Sequence, residues 1–185
     1  MEISLIGETT VLRQAKLDDS LFISQLRSDP KVYEFLSSSS PITLEQQKAW
    51  LKKYIDSKDG YYFIIDNPLL YKSVGTISIY NVNNGKQEAE LGRYISVNSV
   101  NAIEAEYLLL DFCFNIMHLE SVYCKTADKN IKVWKQHLSF GFQNVGFEEF
   151  SGKNIMLRRQ TITRAEFLNF DYSKIFSLIN RFKNS

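Results

Sequence analysis

Apolar positions along the chain switch repeatedly between a spacing near 3.6 and alternation, a pattern that predicts interleaved helices and strands. Val11 to Ala15 reads as a short strand. From Asp18 or Asp19 onward, Leu21, Phe22, Ile23 and Leu26 form a helical stripe, and Pro30 restarts a turn or short helix through KVYEFL. Ser37 to Ser40 form a low-complexity loop ending at Pro41. Thr43 and Gln46 have the spacing of a capping box; the helix they open carries Trp50, Leu51 and Tyr54 to about Ser57, and Asp59-Gly60 ends it. Three strands follow, Tyr61 to Asp66, Ser73 to Tyr80 and about Glu88 to Val97, whose short connections suggest an antiparallel meander.

The strongest helix is predicted over about Val100 to His118. Ala105, Leu108, Leu109, Phe112 and Ile116 make one stripe on it, and Tyr107, Leu110, Phe114 and Met117 a second; a helix apolar this far round belongs inside a core. Ser121 to Thr126 is β-rich, Asp128 is the expected N-cap of the helix in DKNIKVWKQHLSF, and GFQNVGF with KNIMLRRQTI reads as a closing hairpin. The tail, with Ile175, Phe176, Leu178, Ile179 and Phe182, is a last amphipathic helix, read as packed on its own domain, a homodimer contact being the alternative. The order β-α-α-β-β-β-α-β-α-β-β argues for an α+β fold, one mixed sheet with helices on both faces. No repeat or linker divides the chain, so residues 1–185 are read as a single domain.

Composition then excludes whole classes. Of the 185 residues, 44% are hydrophobic and 14% aromatic, too many for a disordered chain. A net charge of +1 gives no basis for a general nucleic-acid binder. No stretch approaches the roughly 18 apolar residues of a membrane span, and the N-terminus lacks a secretory h-region. Cys113 and Cys124 lie in apolar runs without C-x-x-C spacing and read as small core residues in a reducing compartment, so a soluble cytoplasmic protein is expected. With only His118 and His137, no H-x-x-x-H or H-x-x-E-H metal motif exists, and neither G-x-S-x-G, a P-loop nor G-x-G-x-x-G occurs.

The succession strand, tight loop, long buried helix, strand, then a short helix from Asn130 to Gly141-Phe142 resembles the GNAT superfamily of acetyl-CoA-dependent N-acetyltransferases. It is most similar to the branch holding ribosomal-protein N-terminal, spermidine and nucleotide–amino-sugar acetyltransferases, in which phrases like ITLEQQKAWL, AELGRYI, IEAEYLLLDFCF and NIKVWKQHLSFGF recur in this order. The resemblance implies a GNAT-like three-layer fold with a mostly antiparallel mixed sheet, acetyl-CoA as co-substrate, and a small-molecule or peptide amine as acceptor. A helix N-terminus binds phosphate through its unpaired amides and dipole, which points to Ile95, Ser96, Val97, Asn98, Val100, Asn101, Ala102 and Ile103 as the cofactor-binding turn. Asn130 matches a CoA-contacting asparagine of the family; a helix cap is the other reading. The edge of Tyr94 to Val97 is free to pair with the amide-rich pantetheine arm.

Against the family signature Arg/Gln-x-x-Gly-x-Gly/Ala, which falls at Val97 to Ala102, Val97 replaces the first residue and Val100 the middle glycine, while Ala102 fits. With no glycine in the loop, Asn98 and Asn101 are expected to supply any positive φ. Alternation puts Glu88, Glu90, Gly92 and Tyr94 on one strand face and Ala89, Leu91, Arg93 and Ile95 on the other. Glu90 matches the position of the family's base, the alternative being an outward-facing charge. His137 falls where many members place a tyrosine acid beside the sulfur, the alternative being a packing residue. Trp50, Tyr80 and Arg93, with Tyr54, are candidates for acceptor recognition, or for core packing and an ordinary ion pair. Cys124 has no histidine partner implied nearby, which favours direct transfer in a ternary complex over an acyl-enzyme. The competing function is a catalytically degenerate GNAT-like domain that binds a metabolite or partner.

Overall fold

The structure is a computed structural model that describes residues 3–35, 42–57, 59–150 and 155–184, so the loop expected at Ser37 to Pro41 lies outside the described residues. Its strands are β1 (Ser4–Ile6), β2 (Val11–Gln14), β3 (Gly60–Asn67), β4 (Lys72–Asn83), β5 (Glu88–Ser96), β6 (Ser121–Ala127), β7 (Gln143–Phe150) and β8 (Ile155–Thr163). Its helices are α1 (Ser20–Ser28), α2 (Pro30–Tyr33), α3 (Leu44–Ser57), α4 (Ser99–Asp111), α5 (Ile131–Leu138), α6 (Arg164–Asn169) and α7 (Ser173–Lys183). The eight strands form one sheet in the order β1-β2-β3-β4-β5-β6-β8-β7. Every neighbouring pair is antiparallel except β5 and β6, which run parallel and are joined through α4. This is the mixed, mostly antiparallel sheet that the pattern predicts; β1 and α6 lack a strong periodic signal and were not anticipated.

Helices cover both faces, because the strands at the centre are apolar on both. On one face Ala15, Ile23, Leu51, Tyr54, Tyr62 and Ile64 form a core beneath α1 and α3. On the other, residues such as Phe63, Ile77, Leu91, Leu109, Phe114 and Ile179 join β3–β6 to α4 and α7, so the tail helix packs on its own chain. Burying each such Leu, Ile or Phe is worth about 1.5–3 kcal/mol, which is what holds the layers together. The predicted Thr43–Gln46 capping box is present, with Thr43 N donating to Gln46 Oε1 at 2.9 Å and Gln46 N to Thr43 Oγ1 at 3.2 Å.

The second expected cap is corrected. Asn130, not Asp128, opens α5, its side chain accepting from Val133 N at 3.4 Å. Asp128 instead takes the Arg158 guanidinium at 2.7 Å. The long helix also ends earlier than its apolar run: α4 stops at Asp111, a π-helical turn carries Phe112–Ile116, and His118 turns the chain at φ 55°.

Two buried glutamates explain how α4 is anchored despite its apolar surroundings. Glu104 accepts from Thr9 N at 2.9 Å and Thr9 Oγ1 at 2.6 Å, tying the β1–β2 turn to the helix. Asn101 helps from the same side, donating to Thr9 O at 2.7 Å and accepting from Asn67 Nδ2 at 2.8 Å. The other glutamate, Glu106, lies behind the site and bonds His137.

Candidate active site

The parallel pair β5–β6 is in register only from Glu88↔Ser121 to Leu91↔Cys124. Past Leu91, no strand pairs with β5 on this side among the described residues, and the two strands part. The opening is a cavity of about 1110 Å³ bounded by β5, β6, the starts of α2 and α5, and α3. A bulge lies beside the parting: Thr76 pairs with Ile95 but Ser78 with Gly92, so β5 holds one extra residue. Arg93 absorbs it at φ 49°.

The bulge overturns the simple alternation expected for this strand. Arg93 does not face with Ala89 and Leu91. It turns to the α3 side, its guanidinium 3.8 Å from the Tyr80 ring centroid, 4.8 Å from Tyr54 and 5.2 Å from Trp50. Tyr94 correspondingly leaves the Glu90 face and donates from its phenol to Ala102 O at 2.6 Å on the α4 side. Arg93 is therefore neither core nor an ordinary ion pair, but a cation held in an aromatic frame at the cavity.

Glu90 sits where the strands separate. It is 8% exposed and lines the cavity, so it is not an outward-facing charge. Tyr80 Oη donates to its Oε1 and Asn81 Nδ2 to its Oε2, both at 2.9 Å. Burial, and then the Glu90 carboxylate, push the Tyr80 phenol well above its ordinary range, so it remains a donor. Gly92 makes this contact feasible: a Cβ there would lie 2.6 Å from Tyr80 Oη.

On the opposite wall, His137 lines the cavity yet is only 1% exposed. Its Nδ1 lies 2.6 Å from Glu106 Oε1, while Gln136 Nε2 donates to Glu106 Oε2 at 2.8 Å and also to the Tyr94 phenol. Burial opposes the imidazolium, but the Cys124 sulfur and the Glu106 carboxylate outweigh it and hold His137 well above the usual imidazole value. Cys124 thus does have a histidine beside it, contrary to the sequence-based reading. Its sulfur, however, is buried, lies 3.9 Å from Gln160 Oε1 and is outside the cavity lining.

The predicted phosphate turn is rearranged. Neither valine fills it: Val97 is 67% exposed on the cavity rim, and Val100 packs toward the core. The occupant is Asn98, whose φ of −122° is extended rather than left-handed and whose side-chain oxygen accepts from Val100 N at 3.0 Å and Asn101 N at 3.2 Å. Asn101 is helical and its side chain points to the β1–β2 turn, so neither asparagine supplies positive φ. Ile95, Ser96, Val97 and Asn130 line the cavity, whereas Asn98, Val100, Asn101, Ala102 and Ile103 stand behind it. Lys132 supplies a cation at this end, donating to Ser99 Oγ at 3.2 Å.

Sequence reasoning missed Glu106 and Gln47. Glu106 is legible as a carboxylate on an otherwise apolar helix, which demands a buried partner. Gln47 shares a helical face with Leu51 and Tyr54 at spacings of four and seven. It is buried at the cavity with neither amide atom hydrogen-bonded, an omission that costs about 1–3 kcal/mol per group. Among the described residues no group of three or more His, Cys, Asp or Glu could hold a metal ion, and no helix is long and apolar enough to cross a membrane.

Comparisons with known proteins agree with this fold. Apo FdhC, a nucleotide-linked sugar GNAT, superposes with a TM-score of 0.77 at 22% identity, covering 97% of this chain and 98% of its own. Spermidine N-acetyltransferase from Vibrio cholerae, solved with CoA and spermine, gives 0.76 at 20% identity over 88% of this chain and 100% of its own. A GCN5-related N-acetyltransferase from Brucella melitensis gives 0.78 at 15% identity, with coverages of 99% and 86%. No curated protein matches the sequence. Residues 10–143, most of the chain and all of the cavity's β5–α4 wall, match the acetyltransferase (GNAT) domain, and the chain belongs to that family.

Proposed function

We propose that this protein is an N-acetyltransferase that moves an acetyl group from acetyl-CoA to a primary amine (a small amine, a nucleotide-linked amino sugar or a protein N-terminus) by direct transfer in a ternary complex. The observation that carries this reading is Glu90, a buried carboxylate held by Tyr80 and Asn81 at the point where β5 and β6 part. Bound acetyl-CoA supplies the thioester carbonyl. The unpaired β5 edge and the Asn130 end of α5 flank its path, Lys132 offers a cation to its phosphates, and the α4 amides join once the Asn98 carboxamide swings aside. Glu90 accepts a proton from the acceptor ammonium, directly or through water, leaving a neutral amine. His137, kept charged by Glu106, donates a proton toward the departing sulfur. Cys124 takes no part, because its sulfur does not reach the cavity.

The second reading, a binding module without catalysis, is favoured by one observation: Asn98 already occupies two of the amides that a phosphate would use. Calorimetric titration with acetyl-CoA, combined with thiol release in the presence of an amine panel, separates the two. Micromolar binding with amine-dependent thiol release is expected, and a Glu90→Gln variant should lose about 10²-fold in turnover with affinity for acetyl-CoA unchanged. Binding without thiol release from any amine would establish the module instead.

A cytoplasmic location is part of the proposal, since both cysteines are free thiols. The near-zero net charge supports neither nucleic acid nor membrane as a partner. The case for a homodimer is the outer face of α7, where Phe176 is 41% and Leu178 40% exposed.

A further inference from the structure

The α1–α3 side of the cavity holds polar groups that the fold leaves without partners. Gln47 is 1% exposed, lines the cavity, and has no hydrogen bond to either Nε2 or Oε1. Arg27, from α1, lines the same wall and buries an unpartnered Nε. Among the described residues neither Arg27 nor Arg93 has a carboxylate partner. Arg93 donates to Ser78 Oγ at 3.4 Å and rests on its aromatic frame. Buried amides and guanidinium nitrogens are ordinarily satisfied, so the unpartnered atoms of Gln47 and Arg27 on one wall mark a surface completed by something else. A Gln side chain presents a donor and an acceptor side by side, and its complement is an amide or imide edge carrying the reverse pair. Arg27, Lys31 and Arg93 are complementary to phosphate or another polyanion.

The charge balance says which amines this half of the cavity admits. Its anions are Asp29 and Glu90, and both are engaged: Asp29 Oδ1 accepts from Lys31 N at 2.9 Å, and Glu90 holds Tyr80 and Asn81. A polycationic amine would meet Arg27, Lys31 and Arg93 against two carboxylates, one of which, Glu90, is assigned to the reacting amine.

Building on the acetyltransferase reading, we infer that the acceptor is an amino sugar carried on a nucleoside diphosphate, its amide- or imide-bearing base reading Gln47 and its phosphates meeting Arg27, Lys31 and Arg93. Gln47 is then a specificity residue whose amide is left unsatisfied until the acceptor arrives.

Two measurements on the full chain test this. Calorimetry with UDP in the presence of CoA should show binding that Gln47→Leu weakens at least about tenfold, while the variant melts no lower than the parent because it loses only an unpaired amide. Thiol release from acetyl-CoA should be faster with UDP-glucosamine than with glucosamine or spermidine by about tenfold or more in kcat/KM. Absence of UDP binding, a Gln47→Leu variant that binds UDP like the parent, or spermidine as the best of these acceptors overturns the inference and leaves acetyl transfer standing. Thiol release with none of these three but with another amine of the panel also overturns the inference; no release from any amine sinks the transferase reading, and UDP binding that depends on Gln47 would then still support the acceptor pocket.

Discussion

Two buried polar clusters border the same cavity and are built in opposite ways. On the α5 side, Glu106, His137, Gln136 and Tyr94 satisfy one another through bonds such as Glu106–His137 at 2.6 Å. On the α3 side, the Gln47 amide and the Arg27 Nε are buried without a hydrogen bond. Paired groups in a low dielectric stiffen a wall and fix a proton, whereas unpaired ones sacrifice stability for an incoming ligand. The difference teaches that burial alone does not classify a polar residue; whether its hydrogen bonds are spent does.

Breaking the paired cluster should produce the largest effect. Glu106→Ala leaves the His137 imidazolium uncompensated in the core, and unfolding in urea should reveal a loss of about 3–5 kcal/mol. Gln47→Leu on the other side should leave the urea midpoint unchanged or raised. Equal losses in the two variants would erase the contrast.

A change of pH sharpens the same comparison. The folded state raises the His137 pKa above its ordinary 6.5, so the pair's contribution is complete below that value and is lost as the pH climbs through the higher folded value. The parent's unfolding midpoint should therefore fall on the alkaline side, and Glu106→Gln should flatten that fall. If His137 is the acid, turnover drops over the same range, and a His137→Gln variant, which keeps a donor toward Glu106, should lose at least about tenfold in turnover with acetyl-CoA affinity intact.

The smallest predicted effect concerns the turn before α4. Asn98→Gly removes a side-chain cap at a cost of a few tenths of a kcal/mol and frees two amides. Affinity for acetyl-CoA, read by calorimetry, should rise severalfold. A fall would mean that the Asn98 carboxamide itself holds the phosphates.

Much of the fold was legible because its signals are local. Thr43 and Gln46 announce α3, and the double apolar stripe of α4 announces a helix inside the core. What stayed hidden depends on contacts distant in sequence. Nothing in LGRYIS marks Arg93 as the bulge, because the extra residue exists only relative to β4. Asn98 does carry a readable sign, asparagine being a favoured N-cap, although the missing glycines point equally to a left-handed turn at the same residue. Glu90 and His137 are legible as candidates only by family position, and their contacts with Asn81 and Glu106 depend on the fold that brings them together.

The irregularity in β5 carries a wider consequence for how the protein tolerates change. Removing one residue between Gly92 and Ile95 would restore an even pleat at the loss of either the cation or the phenol, and the survivor could no longer be set against its neighbour on the opposite face. A point substitution there alters one contact, whereas a deletion inverts the wall, so this short stretch should accept new side chains far more readily than a new length.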